Sequence, residues 1–191
     1  PLMDRLEGVT MAPYAKEGEC ELRITARAET KEAALALCDP VVAQVREILG
    51  KHVYGVDVSS LEERVVQGLR QQGLTIALAE SCTGGLIAKR ITDIAGASEV
   101  FGFGCVTYSN AAKQRLLGVS AETLERCTAV SEQTALEMAR GVRALSGADI
   151  GLSVTGYAGP GGGTEEHPVG TVFIGLSWAG GERVVCPERR Y

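Results

Sequence analysis

The sequence predicts an α/β fold: a three-layer, open, largely parallel sheet with helices on both faces, preceded by a small α+β domain. Three observations predict it. From Ser59 onward, strand-length apolar runs alternate with helical patterns, as they do when helices cover both faces of a parallel sheet. Residues before Asp57 lack that alternation and read as strand, helix, strand. Hydrophobic residues make up 45% of the 191-residue chain, enough to bury a real core in one medium and one small domain. The boundaries read as 1–57 and 58–191, with Gly55-Val56-Asp57 as the linker.

The elements follow in chain order. Glu21-Leu22-Arg23-Ile24-Thr25-Ala26-Arg27 alternates with period two, as a half-exposed strand does. Thr30 is placed to cap a helix starting at Lys31, with Glu29 and Glu32 near its positive end. Pro40 is expected to kink or restart that helix, and Val41, Val42, Val45, Ile48 and Leu49 form its apolar stripe. His52-Val53-Tyr54 reads as a short strand. Ser60-Leu61-Glu62-Glu63 is a capping box opening a helix to about Gln72, stopped by Gly73. A buried strand at 74–79 comes next, then a helix from about Gly84 to Ile94. Gly104 to Thr107 reads as a strand, and Asn110 as the cap of a helix through Leu117. Ser131 caps a helix to about Leu145. Strands are expected at 150–154, 171–176 and 183–186, the last two as an antiparallel hairpin through Ala179-Gly180-Gly181.

The composition excludes several classes of function. A net charge of −5 argues against a general binder of nucleic acid or anionic membrane. The longest apolar runs fall far short of a membrane span. Pro1 to Leu6 carries neither an initiator Met nor a leader pattern, so the chain reads as a fragment of a longer product. The six cysteines include no C-x-x-C pair, and read as ordinary thiols of a reducing cytoplasm. Two histidines, His52 and His167, cannot make a three-histidine metal site in one chain.

Three loops carry the chemistry. Glu80-Ser81-Cys82-Thr83-Gly84-Gly85 follows the strand at 74–79. Tyr108 to Lys113 follows the strand ending at Thr107. Thr155 to Gly163 follows the strand at 150–154. Parallel strands would bring all three to one carboxyl edge, where open α/β sheets place ligands. The first loop puts two hydroxyls and a thiol at a helix start, a place that suits an anion or a developing oxyanion. A serine needs a base before it attacks a carbonyl. A Ser-His-Asp triad is poorly supported with so few histidines, and His167 reads as a surface residue. Lysine is the better base. There are only five lysines against fourteen arginines, and one of the five, Lys113, lies in a site loop. A desolvated lysine can release its proton and an arginine cannot. A solvated lysine at a helix start would look the same in sequence. Cys82 is a rival nucleophile, because helix starts lower thiol pKa values. The residues alone leave Ser81, Cys82 and simple anion binding all open. Gly159 to Gly163 lacks the Gly-Lys-Ser/Thr of a Walker loop and reads as a ligand-approaching backbone or a mobile turn.

Five segments in order carry a resemblance: Ala79 to Gly85, Gly104 to Lys113, Ala129-Val130-Ser131, Val154 to Pro160, and Pro168 to Val172. Together they resemble the C-terminal domain of the CinA family, over about residues 60–191. Residues 1–57 are similar to that family's small KH-type middle domain. The resemblance implies a nicotinamide-mononucleotide deamidase that uses neither a metal nor another cofactor. It implies hydrolysis of the carboxamide to nicotinate mononucleotide and ammonia. It implies Ser81 as nucleophile, and Tyr108 and Lys113 as the activating and proton-transfer residues. It implies substrate binding by Thr83, Gly84, Gly85, Asn110, Thr155, Gly156, Gly159, Gly161 and Gly162. It further implies a cytoplasmic homodimer. The family continues into a Gly-Asp-Arg-type motif and a final helix, whereas this sequence stops at Arg189-Arg190-Tyr191. A non-catalytic nucleotide-binding or assembly module is the alternative. No Gly-x-x-Gly occurs before Asp57, so the nucleic-acid clamp of true KH domains is not expected.

Overall fold

The computed structural model describes residues 8–16 and 18–187. The start of the chain at Pro1–Leu6 and its end at Arg189–Tyr191 lie outside the described residues. The chain divides at Asp57/Val58 into two compact units.

In the first unit, β1 (Val9–Lys16) and β2 (Glu19–Ala26) form an antiparallel hairpin, followed by α1 (Lys31–Leu49). Thr30 caps α1, its hydroxyl accepting the Ala33 N–H at 3.1 Å. Three expectations are corrected here. β1 was not foreseen, because Pro13 and its mostly exposed residues hide the alternation. Pro40 does not restart the helix: α1 runs through it for 19 residues, and Val41 and Val45 beyond it are buried. The cost of one lost i→i−4 bond is outweighed by that burial. His52-Val53-Tyr54 is not a strand. Gly50–His52 is a 3₁₀ turn, and among the described residues the sheet of this unit consists of β1 and β2.

The second unit is a five-stranded sheet in the order β4-β3-β5-β6-β7, with β3 (Ile76–Glu80), β4 (Phe101–Val106), β5 (Ile150–Gly156), β6 (Val172–Trp178) and β7 (Gly181–Val185). β3 pairs in parallel with β4 and β5, while β5–β6 and β6–β7 are antiparallel. The sheet is therefore mixed. The parallel half is the half that carries the three loops, and the expected β6–β7 hairpin closes the other.

Every residue of β3 is buried because both of its faces are covered. Ile76 and Leu78 pack with Val66 and Leu69 of α2 (Leu61–Gln72) and Ile91 of α3 (Leu86–Thr92). Ala77 and Ala79 face the other way, onto Leu117 of α4 (Asn110–Leu117) and Met138 and Val142 of α6 (Glu132–Ser146). A short α5 (Ala121–Arg126), not foreseen, joins α4 to α6 with Ser120 as its cap. The cap of α4 is Ser109, whose hydroxyl accepts the Ala112 N–H at 3.2 Å; Asn110 is the first helical residue. Ser60 caps α2 as expected, but Glu63 reaches back to Ser59 rather than Ser60, so the box is shifted by one residue.

α6 lies directly on the strands. A Cβ at Gly151 would sit 2.1 Å from the Ala139 carbonyl oxygen and 2.7 Å from Arg143 Cβ. Gly151→Ala is therefore expected to cost about 3 kcal/mol, since helix backbone cannot give way as a side chain can. A denaturant midpoint unchanged from the parent would refute that packing.

Candidate active site

The parallel register brings the three loops to one edge. Glu80 lies opposite Val106 on one side and Val154 on the other. The ladder continues one residue past the strands: Ser81 N–H donates to Val154 O at 2.9 Å, and Thr107 N–H to Glu80 O at 2.8 Å. Ser81 and Thr107 are thus held by sheet bonds although they stand in loops.

Lys113 closes the arrangement. It falls one turn into α4, on the same face as the buried Leu117, as i and i+4 residues do. Its side chain is carried inward and is only 1% exposed. Nζ lies 2.9 Å from Ser81 Oγ and 2.8 Å from Thr107 O. No carboxylate pairs with it among the described residues. Burial lowers the Lys113 ammonium from its ordinary lysine value, partly offset by the Cys82 thiolate when that forms. Its place in the first turn of α4, at the positive end of the helix, acts in the same direction as burial. Nζ donates to both Ser81 Oγ and Thr107 O; an amine that has lost its proton keeps the Thr107 bond and turns its lone pair to the Ser81 hydroxyl.

The turn from Ser81 to Gly85 is tight, with positive φ at Gly84 (61°) and Gly85 (102°). The Gly84 N–H donates to Ser81 O at 3.1 Å, and the Gly85 N–H to Glu80 Oε2 at 3.0 Å. Both amides are engaged within the chain. The N–H groups of Cys82 and Thr83 take no oxygen among the described residues, and both bear on the Cys82 sulfur. Burial pushes the Cys82 thiol up, the reverse of the activation that a bare helix start would give. The hydroxyls of Thr83 and Thr107 are buried without a partner among the described residues.

The other expected positions spread around this pair. Tyr108 is 76% exposed and makes no hydrogen bond to Ser81 or Lys113. Asn110 is exposed at the start of α4. Thr155 is buried, with its hydroxyl donated to Ala129 O at 2.7 Å. Gly156 ends β5, where a Cβ would meet Thr171 O at 2.7 Å. Gly159, Gly161 and Gly162 lie in an exposed loop. His167 stacks edge-on against Phe173 and lines, with Tyr157, a groove of about 890 Å³ at the start of α6; neither Ser81 nor Lys113 lines it. Two residues with a hold on the site escaped sequence reading. Thr107 acts through its carbonyl, which no side-chain pattern reports. Glu80 had a usable signal: a charged residue ends an otherwise apolar buried run.

Residues 58–189 match the family model described as the CinA C-terminal domain, and residues 1–55 that of the damage-inducible protein CinA KH domain. A CinA-like protein of Desulfovibrio desulfuricans is 57% identical over 194 residues, covering 100% of this chain and 46% of its own length. A CinA-like protein of Kosmotoga olearia is 56% identical over 175 residues, covering 92% of this chain and 42% of its own. The chain thus spans under half the length of these curated relatives. Among solved structures, the competence/damage inducible protein CihA from Agrobacterium tumefaciens is 47% identical with a TM-score of 0.63, over 70% of this chain and 80% of that one. A CinA superfamily protein from Escherichia coli is 32% identical with a TM-score of 0.66, over 75% and 86%. With both of its units matched by that family's own domain models, and relatives this similar across its length, the chain belongs to the CinA family.

Proposed function

We propose that this chain is an amidohydrolase that converts nicotinamide mononucleotide to nicotinate mononucleotide and ammonia, with Ser81 as nucleophile and Lys113 as its base. The single observation that supports it most is the 2.9 Å contact between Ser81 Oγ and a buried Lys113 Nζ that has no carboxylate partner among the described residues. Ser-Lys pairs perform the task of a Ser-His-Asp triad when the lysine is kept neutral.

In this reading Ser81 Oγ attacks the carboxamide carbon and its proton passes to Nζ. The N–H groups of Cys82 and Thr83, which face the Cys82 sulfur and take no oxygen among the described residues, turn to the oxyanion. Lys113 then returns the proton to the departing nitrogen, ammonia leaves, and an acyl ester remains on Ser81. Water, deprotonated by the same amine, hydrolyses the ester and restores both groups. Tyr108, standing clear of the pair, meets the substrate at the mouth of the site. Thr155 anchors the end of β5 to the segment before α6 and acts on the substrate only through that placement. We infer a homodimer from the family resemblance, and a cytoplasmic location from six cysteines that all stand unpaired. No helix among the described residues is long and apolar enough to cross a membrane.

The test is release of ammonia from nicotinamide mononucleotide, with the mononucleotide acid as co-product in equal amount. Saturable binding of the nucleotide without ammonia would support a non-catalytic binding module instead.

A further inference from the structure

The start of α3 looks, in sequence, like a place for a ligand's anion. In the structure it is filled from within the chain. Glu80, the last residue of β3, is 1% exposed. Its Oε2 accepts the Gly85 and Ile87 N–H groups at 3.0 and 3.1 Å, and its Oε1 accepts the Ala88 N–H at 2.8 Å. Every polar partner is a donor, the pattern of an ionised carboxylate. Between Glu80 and those donors lies the turn with both candidate nucleophiles. We propose that Glu80 is a positioning residue that reserves this turn for serine chemistry: it takes up the N–H groups of the helix start, fixes the turn that sets Ser81 against Lys113, and keeps a negative charge beside Cys82. This rests on the reading of Ser81 as the nucleophile.

The two nucleophiles respond to that charge differently. A thiol must ionise before it attacks, and a helix start ordinarily helps it by offering N–H groups and a positive end. Here Glu80 has claimed those groups. The influences on the Cys82 thiol are burial, which raises it and is the largest, and Glu80, which adds to the rise. Its own N–H, the Thr83 N–H and the Lys113 amine oppose them. A serine hydroxyl does not ionise beforehand; it hands its proton to Lys113 as it attacks. Burial, with the Glu80 charge adding to it, holds back the thiol and leaves the hydroxyl usable.

Alkylation of the intact chain with iodoacetamide, followed against pH and resolved by peptide, tests this directly. In the parent, Cys82 should react with a midpoint above that of an ordinary thiol. In Glu80→Gln that midpoint should fall, and the Cys82 rate at neutral pH should rise roughly two- to threefold, because less charge opposes the thiolate. Cys105, whose thiol is raised by burial alone, should not change and serves as the internal reference. A folded Glu80→Gln chain with an unchanged Cys82 rate overturns the proposal. Glu80→Asp, which keeps the charge, should hold the Cys82 midpoint near the parent's; a fall there as large as in Glu80→Gln, or a parent midpoint at or below the ordinary thiol value, overturns the proposal. The reagent needs no substrate, so a failed amidase assay beside a raised Cys82 midpoint would sink the substrate reading alone.

Discussion

Replacing Ser81 by alanine is expected to lower ammonia release from nicotinamide mononucleotide by on the order of a thousandfold or more, the range seen when the nucleophile of a concerted unit is removed. The loss should appear in kcat, because the hydroxyl makes its bond only as the reaction proceeds. Nucleotide affinity, measured by calorimetry, should stay within a few-fold of the parent. The fold should persist, since the position is held by its backbone, through the Ser81 N–H on Val154 O, rather than by the hydroxyl. Cys82→Ala is the necessary companion. It should retain most activity, because the thiol is half-buried, is pushed up by that burial, and does not touch Lys113 Nζ as Ser81 Oγ does. The reverse pattern, with Cys82→Ala inert and Ser81→Ala active, would assign the chemistry to the thiol.

The contrast between those two variants marks where sequence was sufficient and where it was not. The apolar run before Glu80 announced a strand buried on both faces, and β3 is one. Three polar loops after strands implied a shared edge, and the parallel β4–β3–β5 register provides it. Lys113 stood out because a chain rich in arginine used a lysine there. What could not be read was which polar groups the chain would consume for itself. The amides of Gly84 and Gly85 looked available for an oxyanion, yet Ser81 O and Glu80 Oε2 take them. The Thr155 hydroxyl looked aimed at a ligand, yet Ala129 O takes it. Such partners lie 3 to 5 residues away in a turn, or 26 residues away across two elements, and only coordinates decide between them and solvent. The antiparallel join of β5 to β6 was hidden for a related reason. The long glycine-rich connection fixes no direction by itself, so the choice falls to register and packing on α6.

The second large effect concerns Lys113. Arginine there should cost on the order of a thousandfold in kcat/KM although the charge is kept, because a guanidinium cannot accept the Ser81 proton near neutral pH. Methionine should cost as much while matching the buried stem in length, which separates loss of the base from loss of packing. The parent should gain activity as pH rises through the lowered folded value of Lys113, since the neutral amine is the working form. Full activity in Lys113→Arg, or a rate flat with pH until the ordinary lysine range, would refute the base role. Stability should follow the same group with a definite sign. The unfolded chain holds the Lys113 proton up to the ordinary lysine value, whereas the folded chain releases it at lower pH because burial disfavours the ammonium. Between those two points the unfolded state binds more protons, so stability rises with pH, and the cost of the buried charge is fully present only below the folded value. Lys113→Met lacks the titrating group and should lack that slope. Denaturant unfolding of parent and methionine variant across that pH range measures it: two curves that remain parallel would mean that Lys113 keeps its proton in the folded state and cannot serve as the base.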